Sequence, residues 1–267
     1  MIDVLVSCDI HTVLVDNSSK PYSGPLSTRV NYLHYPENVG IAAAQNAGLI
    51  ELKKCNFDAA FIFDQDSDLT KELIYGLLTH LQNGKNPKEQ KVAAIGPVIV
   101  CGFTETHQIP KFKKSYPKDK LFEVDQIIAS GMLINLLYLE DIGLKDESLF
   151  IDGVDHEWCW RARSKGFSIL MASDVPMFHK QGDARHKYFG LTFKRGAPIR
   201  LYYQVRNVLK LSRHSHVPLR WKLRQLMALP IRWLVNRFFF PEGQLRGRFM
   251  KKGFYDGLKN RSGKIKP

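Results

Sequence analysis

The chain has 267 residues, 44% of them hydrophobic and 24% charged, the composition of an ordinary globular protein and room for one large domain with an appendage. Four cysteines, Cys8, Cys55, Cys101 and Cys159, form no CxxC pair, which excludes a disulfide framework or structural zinc site and favours a reducing compartment. The net charge of +13 is concentrated: residues 200–267 carry 17 Lys+Arg against two acids, Glu242 and Asp256, leaving the first 199 residues near neutral. Such a basic tail meets nucleic acid, anionic lipid or a phosphate-bearing partner.

In chain order, residues 2–7 read as the end of a short helix, with no basic leader or long apolar run in the first nine. Residues 11–16 and 30–35 read as strands separated by a Pro/Gly-rich loop. Next comes the Gly/Ala-rich turn NVGIAAAQNAG (38–48), which opens a helix to about Leu52. Small residues there allow close backbone approach to a ligand, and a helix N-terminus attracts phosphate or ribose. The competing expectation, tight packing of helix on sheet, is the stronger for this turn alone.

Residues 59–63 read as a strand that runs into Asp64-Gln65-Asp66-Ser67-Asp68. Alternation along a strand points Asp64 and Asp66 the same way. Paired carboxylates at a strand end suit a hard divalent cation that keeps waters and binds substrate phosphates; the bland reading is a solvated acidic turn. Apolar spacing predicts a helix over 69–81, then a polar loop at 83–90. Residues 92–100 read as a strand interrupted by Gly96-Pro97, residues 102–122 as an exposed mobile loop, and residues 126–129 as a strand ending at Ser130-Gly131. Residues 132–139 continue as strand or helix.

A helix is expected from near Asp155 to Gly166, with Asp155 or Glu157 as cap or general base. A strand at 168–172 and an apolar run ending at His179 follow, and that histidine could reach the same metal. Strands alternating with helices indicate an α/β domain, a mostly parallel sheet covered on both faces. Ligands of such sheets bind at the carboxyl ends of the strands, where Asp16, the 38–46 turn, Asp64 and Asp66 all fall. Residues 199–267 form a second, basic helical region after the 1–198 domain. Its segment 221–240 mixes aromatic and leucine residues with arginines around Pro230, too short in apolar run to span a bilayer but suited to lying in the interface.

The segments VDNSS (15–19), NVGIAAAQNAGL (38–49), FIFDQDSD (61–68), IIASG (127–131), FIDGVDHEWCWRARSKG (150–166) and HKQGD (179–183) together resemble family-two GT-A inverting glycosyltransferases, most closely bacterial rhamnosyltransferases. The resemblance implies a Rossmann-like GT-A fold and transfer of a sugar, L-rhamnose from dTDP-rhamnose by nearness to that subfamily. The implied acceptor is a polyprenyl-diphosphate-linked glycan in O-antigen or capsule synthesis, at the cytoplasmic face of the bacterial membrane and with anionic lipid as a partner.

It further implies that Asp16 contacts the base and that Asn38, Gly40, Gln45 and Asn46 lie beside the nucleoside. Asp64-Gln65-Asp66 matches the DxD motif, with Asp64, Asp66 and His179 around Mg²⁺ or Mn²⁺. Asp155 aligns with the catalytic base; Val154 stands where the family has Glu, which leaves Asp152 as a substitute and, behind it, Glu157. Ser130, Gly131, Glu157 and Trp158 fall on the acceptor side. Family members open with a strand before VDNSS; here Met1 falls within the helix after it, so that strand is expected to be absent.

A DxD phosphatase lacks its downstream acidic pair here, and no nucleic-acid-binding signature accompanies the basic tail, so nucleic acid is not an expected partner. A catalytically silent relative acting as a scaffold stays open.

Overall fold

The structure is a computed structural model and describes residues 1–83, 91–101, 107–108, 112–179, 184–188 and 191–266. The chain opens with α1 (Ile2–Ser7), β1 (Thr12–Asp16), β2 (Val30–His34), α2 (Ile41–Lys54), β3 (Ala59–Ile62) and α3 (Lys71–Asn83). The middle holds β4 (Val92–Cys101), β5 (His107–Gln108), β6 (Phe112–Tyr116), β7 (Leu121–Val124), β8 (Met132–Asn135), α4 (Leu139–Ile142) and α5 (Val154–Ser164). Then come β9 (Ser168–His179), β10 (Ala184–Tyr188), β11 (Leu191–Arg195), α6 (Pro198–Leu211), α7 (Leu219–Phe238) and α8 (Gly243–Leu258).

The expected α/β fold is present. A seven-stranded sheet runs β3-β8-β4-β9-β7-β6, with β5 on β4. Its parallel pair is β4–β9, and β8 lies antiparallel between β3 and β4, so β3, β4 and β9 all point one way. Strands β1 and β2 form a separate parallel pair, and no strand precedes β1 among the described residues.

Period-two alternation builds the two apolar faces. Ala60, Ile62, Ala94, Val98, Met132, Ile134, Ile169 and Met171 face Leu49 of α2 and Trp158, Cys159 and Ala162 of α5. Their sequence neighbours Phe61, Ile95, Leu133, Leu170 and Ala172 face Leu5 of α1 and Leu73, Ile74 and Leu77 of α3. Those three α3 residues are at most 1% exposed, and each contributes up to about 1.5–3 kcal/mol by burial.

Three expectations change. Residues 112–124 form the β6–β7 hairpin, which joins the sheet through β9, in place of an exposed loop. Residues 126–129 are not a strand. Their partners lie on α5, because Ala129 N–H donates to Asp155 and Cys159 Sγ donates to the Ile127 carbonyl. The 168–172 strand and the apolar run to His179 are one strand, β9, whose ladder with β4 shifts register at Val92/Ala94 and at Pro97/Val98. The loops expected at 84–90 and 102–106 and the polar turn at 180–183 lie outside the described residues.

The basic region is not an appendage in its packing. Arg206 of α6 is fully buried and donates to the carbonyls of Ser148 and Leu149, while the Asn207 amide nitrogen lies 2.7–3.0 Å from those of Leu149, Ile151 and Asp152. Helix α8 packs on α6, where Gly253 and Gly257 let the backbones approach: a Cβ on Gly253 would stand 2.4 Å from the Tyr202 carbonyl oxygen. No described helix is long and apolar enough to cross a membrane.

Candidate active site

Strand β3 ends at Ile62, so Asp64 and Asp66 lie in a turn closed by Ser67 N–H donating to the Asp64 carbonyl. Strand alternation therefore does not set their direction, a correction to the sequence reading. What orients Asp64 is a hydrogen bond from Ser130 Oγ at 2.6 Å. Gln65 and Asp66 are exposed.

The loop carrying Ser130 is fixed by its backbone. Gly131 N–H donates to the Ile62 carbonyl and Met132 N–H to that of Ala129. Gly131 has φ +79, and a Cβ there would meet the Pro97 ring at 2.8 Å, so only glycine fits this turn. Next to Ser130, Ala129 N–H donates to Asp155 Oδ2 at 3.1 Å. Two neighbouring residues of one loop thus hold the proposed metal aspartate and the proposed base.

Asp155 sits in the first turn of α5 but does not cap it, since its carboxylate turns to the loop and to Lys145. Lys145, which the sequence reading did not single out, has a fully buried side chain with Nζ 3.5 Å from Asp155 Oδ1 and 4.9 Å from the Trp158 ring centroid. About a quarter of the Asp155 side chain remains accessible, so the carboxylate can meet a substrate. Next to it His156 is half-buried, and its desolvation lowers its pKa from the usual imidazole value against the opposing pull of Asp155. Burial pushes the Cys159 thiol up to about 12, excluding it as a nucleophile.

The 38–46 turn divides between structural and available groups. Asn46, expected at the nucleoside, is 2% exposed; its amide donates to the Lys145 carbonyl and to Glu147 and accepts from Lys145 N–H. It positions Lys145, a correction that follows from its complete internal pairing. Gly40 (φ +88) lies against the Phe150 ring, and Ile41 and Ala42 N–H both point at the Phe150 carbonyl, so packing accounts for this helix end. Asn38 Oδ1 accepts from Gly40 N–H. By contrast, both amide atoms of Gln45 are buried without a partner among the described residues. Such a group has hydrogen bonds to offer a ligand.

Asp16 ends β1 and accepts from Ser18 N–H and Oγ, Tyr22 N–H and Tyr32 Oη. The bonds from Ser18 and then Tyr32 hold its carboxyl well below the usual range, so it is an anion at any ordinary pH.

Three further expectations are corrected. Asp152 is bound bidentately by Arg200 of α6 at 3.0–3.1 Å, which occupies both oxygens of the substitute base. Glu157 is 2% exposed and paired with Arg161 at 2.7 and 2.9 Å, so it braces α5 and does not meet an acceptor. Trp158 is wholly buried, its indole N–H on the Gly143 carbonyl. Phe150, Asp152 and Gly153 have φ of 64, 66 and 89, and the α6 contacts from Arg206 and Asn207 hold this strained turn beneath Asp155.

His179 ends β9 opposite Cys101, five ladder positions past Gly96, which stands level with the end of β3. The ladder alone does not bring it to Asp64 and Asp66, and its side chain lies outside the description. Among the described residues no group of three His, Cys, Asp or Glu side chains converges. Two carboxylates on one turn nevertheless fit a hard cation that draws its remaining ligands from water and a diphosphate.

No protein-family model matches the chain. It is 32% identical over 209 residues to the dTDP-rhamnosyl transferase RfbF of Shigella flexneri, covering 74% of this chain and 68% of that protein. It is 24% identical to the low-salt glycan biosynthesis hexosyltransferase Agl10 of Haloferax volcanii, over 94% of this chain and 84% of the relative. Among solved structures, S. aureus TarS residues 1–349 with UDP-GlcNAc matches at TM-score 0.55 and 13% identity, covering 95% of this chain and 73% of that one. The mannosyltransferase PcManGT of Pyrobaculum calidifontis with GDP-Man and Mn²⁺ matches at TM-score 0.51 and 12% identity, over 96% and 81%.

Proposed function

The chain belongs to the GT-A glycosyltransferases, and on that premise we propose that it transfers L-rhamnose from dTDP-rhamnose, with inversion, to a lipid-linked or polysaccharide acceptor of a cell-surface glycan. The observation that supports it most is the Ala129–Ser130 link, which ties Asp64 and Asp155 to adjacent residues of one rigid loop. A base and a diphosphate-binding aspartate must flank one anomeric carbon, and this loop sets their spacing.

In this reading Asp155 accepts the acceptor's hydroxyl proton as that oxygen attacks the anomeric carbon. The bond to the nucleoside diphosphate breaks on the opposite side. Lys145 and the Ala129 N–H hold the Asp155 carboxylate in place, and Asn46 fixes the Lys145 backbone. Gln45 and Asp16 lie on the nucleoside side. Asp64 and Asp66, with His179 as a further ligand, would hold Mg²⁺ or Mn²⁺, which when bound supplies Lewis-acid stabilisation of the departing diphosphate. Gln65, Asn38 and Gly40 shape the donor side, and Ser130 and Gly131 the wall between donor and acceptor.

The acceptor side is taken to be membrane-bound. Helix α7 exposes Leu219, Leu223, Met227, Ile231, Leu234 and Phe238 at spacings of three and four, one apolar stripe with Met227 74% exposed. Lying at the inner membrane surface, that stripe would bring the site to a polyprenyl-diphosphate-linked glycan.

The test is turnover on a panel of sugar nucleotides with and without Mn²⁺, for wild type, D66A and D155N. Release of dTDP from dTDP-rhamnose, lost in D66A, supports the reading. Turnover of a different sugar nucleotide replaces the donor, and donor binding without any turnover leaves a scaffold.

A further inference from the structure

Helices α7 and α8 enclose a cleft of about 340 Å³ lined by Trp233, Arg237, Gln244, Gly247, Arg248 and Lys251. Trp233 and Arg237 are four apart on α7; Gln244, Gly247, Arg248 and Lys251 follow at three, four and seven on α8. Each set therefore shares a helix face, and the two faces meet. Three cations border one space. Among the described residues no carboxylate pairs with any of them. Lys251 lies 5.4 Å from the Trp233 ring centroid and Arg237 5.2 Å from that of Phe238.

The lining is rich in donors and short of acceptors. Trp233 Nε1, a donor only, is buried without a partner among the described residues. Gly247 has a specific role, because a Cβ there would stand 2.8 Å from Arg237 Cδ, in the path the Arg237 side chain takes across α8. The walls are also tied together: Arg246 is buried and reaches Asn236 Oδ1 of α7 and the carbonyls of Pro241 and Gly196. Fixed walls and converging unpaired cations describe a pocket for a compact polyanion.

We infer that this cleft binds the phosphate of a lipid headgroup. Phosphate satisfies two guanidinium groups, an ammonium and an indole N–H together, since its oxygens are acceptors on every side. The choice of a lipid rests on the membrane reading of α7: Ile231, Leu234 and Phe238 of the exposed stripe alternate in sequence with Trp233 and Arg237. The apolar chain of an amphiphile would then lie along α7 while its phosphate enters the cleft.

The test is co-sedimentation of the full chain with phosphatidylcholine vesicles carrying phosphatidic acid or phosphatidylserine at equal surface charge. Tighter binding to phosphatidic acid is expected. R248A/K251A should weaken it roughly thirtyfold, from about a kcal/mol per basic residue at the surface, and erase the preference. G247A, which keeps every charge, should also erase the preference by displacing Arg237. R220A/R224A, outside the cleft on exposed positions of α7, should weaken both vesicle types equally and keep it. Circular dichroism establishes that each variant is folded. No preference in wild type, or a preference that survives R248A/K251A, overturns the inference. Failure to bind any vesicle also overturns it; if inorganic pyrophosphate then still quenches the emission that W233F removes, the membrane reading has failed and soluble phosphate is the ligand. Sugar-nucleotide turnover on the same preparations reports separately on the glycosyltransferase reading.

Discussion

Around Asp155, charged side chains have internal partners: Lys145 lies on Asp155, Arg161 on Glu157, and Arg200 on Asp152. On α7 and α8, Arg237, Arg248 and Lys251 have no carboxylate partner among the described residues, and leucines stand in solvent. A buried charge must be paired where it sits, so the first region has its geometry set before any substrate arrives. An exposed cation needs no partner to be stable, so the second region draws its role from what it meets outside the chain. Substitutions at the rim should therefore change catalysis and folding. Substitutions on α7 should change binding and leave folding nearly untouched.

The largest expected effect is on turnover. D155N should lower it about a hundredfold to ten-thousandfold, the usual weight of a general base, with donor affinity kept. D152N should stay within a few-fold of wild type, because its carboxylate is engaged by Arg200 and asparagine tolerates its positive φ. Steady-state kinetics on both variants would break the comparison if Asp152 proved the more sensitive. K145M should reduce turnover about tenfold in steady-state kinetics, because the Asp155 carboxylate loses a contact that holds it in place.

N46A should destabilise the fold by about 1–3 kcal/mol in denaturant titration, since it strands the Lys145 backbone N–H in a buried site. His156 gives a smaller, pH-dependent effect. Its folded pKa lies below 6.5, so its contribution to stability is complete above that value and is lost as pH falls below it. Melting temperature from pH 7.5 to 5.5 should therefore decline less steeply in H156Q than in wild type. The smallest effect belongs to R220A/R224A, within about 0.5 kcal/mol of wild-type stability, as exposed surface changes usually are.

Much of this was legible because burial leaves a pattern. The alternation in Ala59–Ile62 and the spacing of Leu73, Ile74 and Leu77 place β3 and α3 within two residues of where they fall. The β6–β7 hairpin was not legible, since β6 is exposed along most of its length and its lysines read as a loop. At the site, motif position could not separate a ligand from an internal partner: Asn46, Glu157 and Trp158 fall within the segments that carry the resemblance, yet their polar atoms are taken. Lys145 left no signal, because a lone lysine reads as surface until its contact with Asp155 is seen.

The most direct measurement is a crystal structure of the chain with Mn²⁺ and dTDP-rhamnose. The metal is predicted on Asp64 and Asp66, joined to the diphosphate, with the anomeric carbon facing Asp155 across the Ala129–Ser130 loop. A diphosphate bound elsewhere, or a sugar whose open face points away from Asp155, would contradict the account.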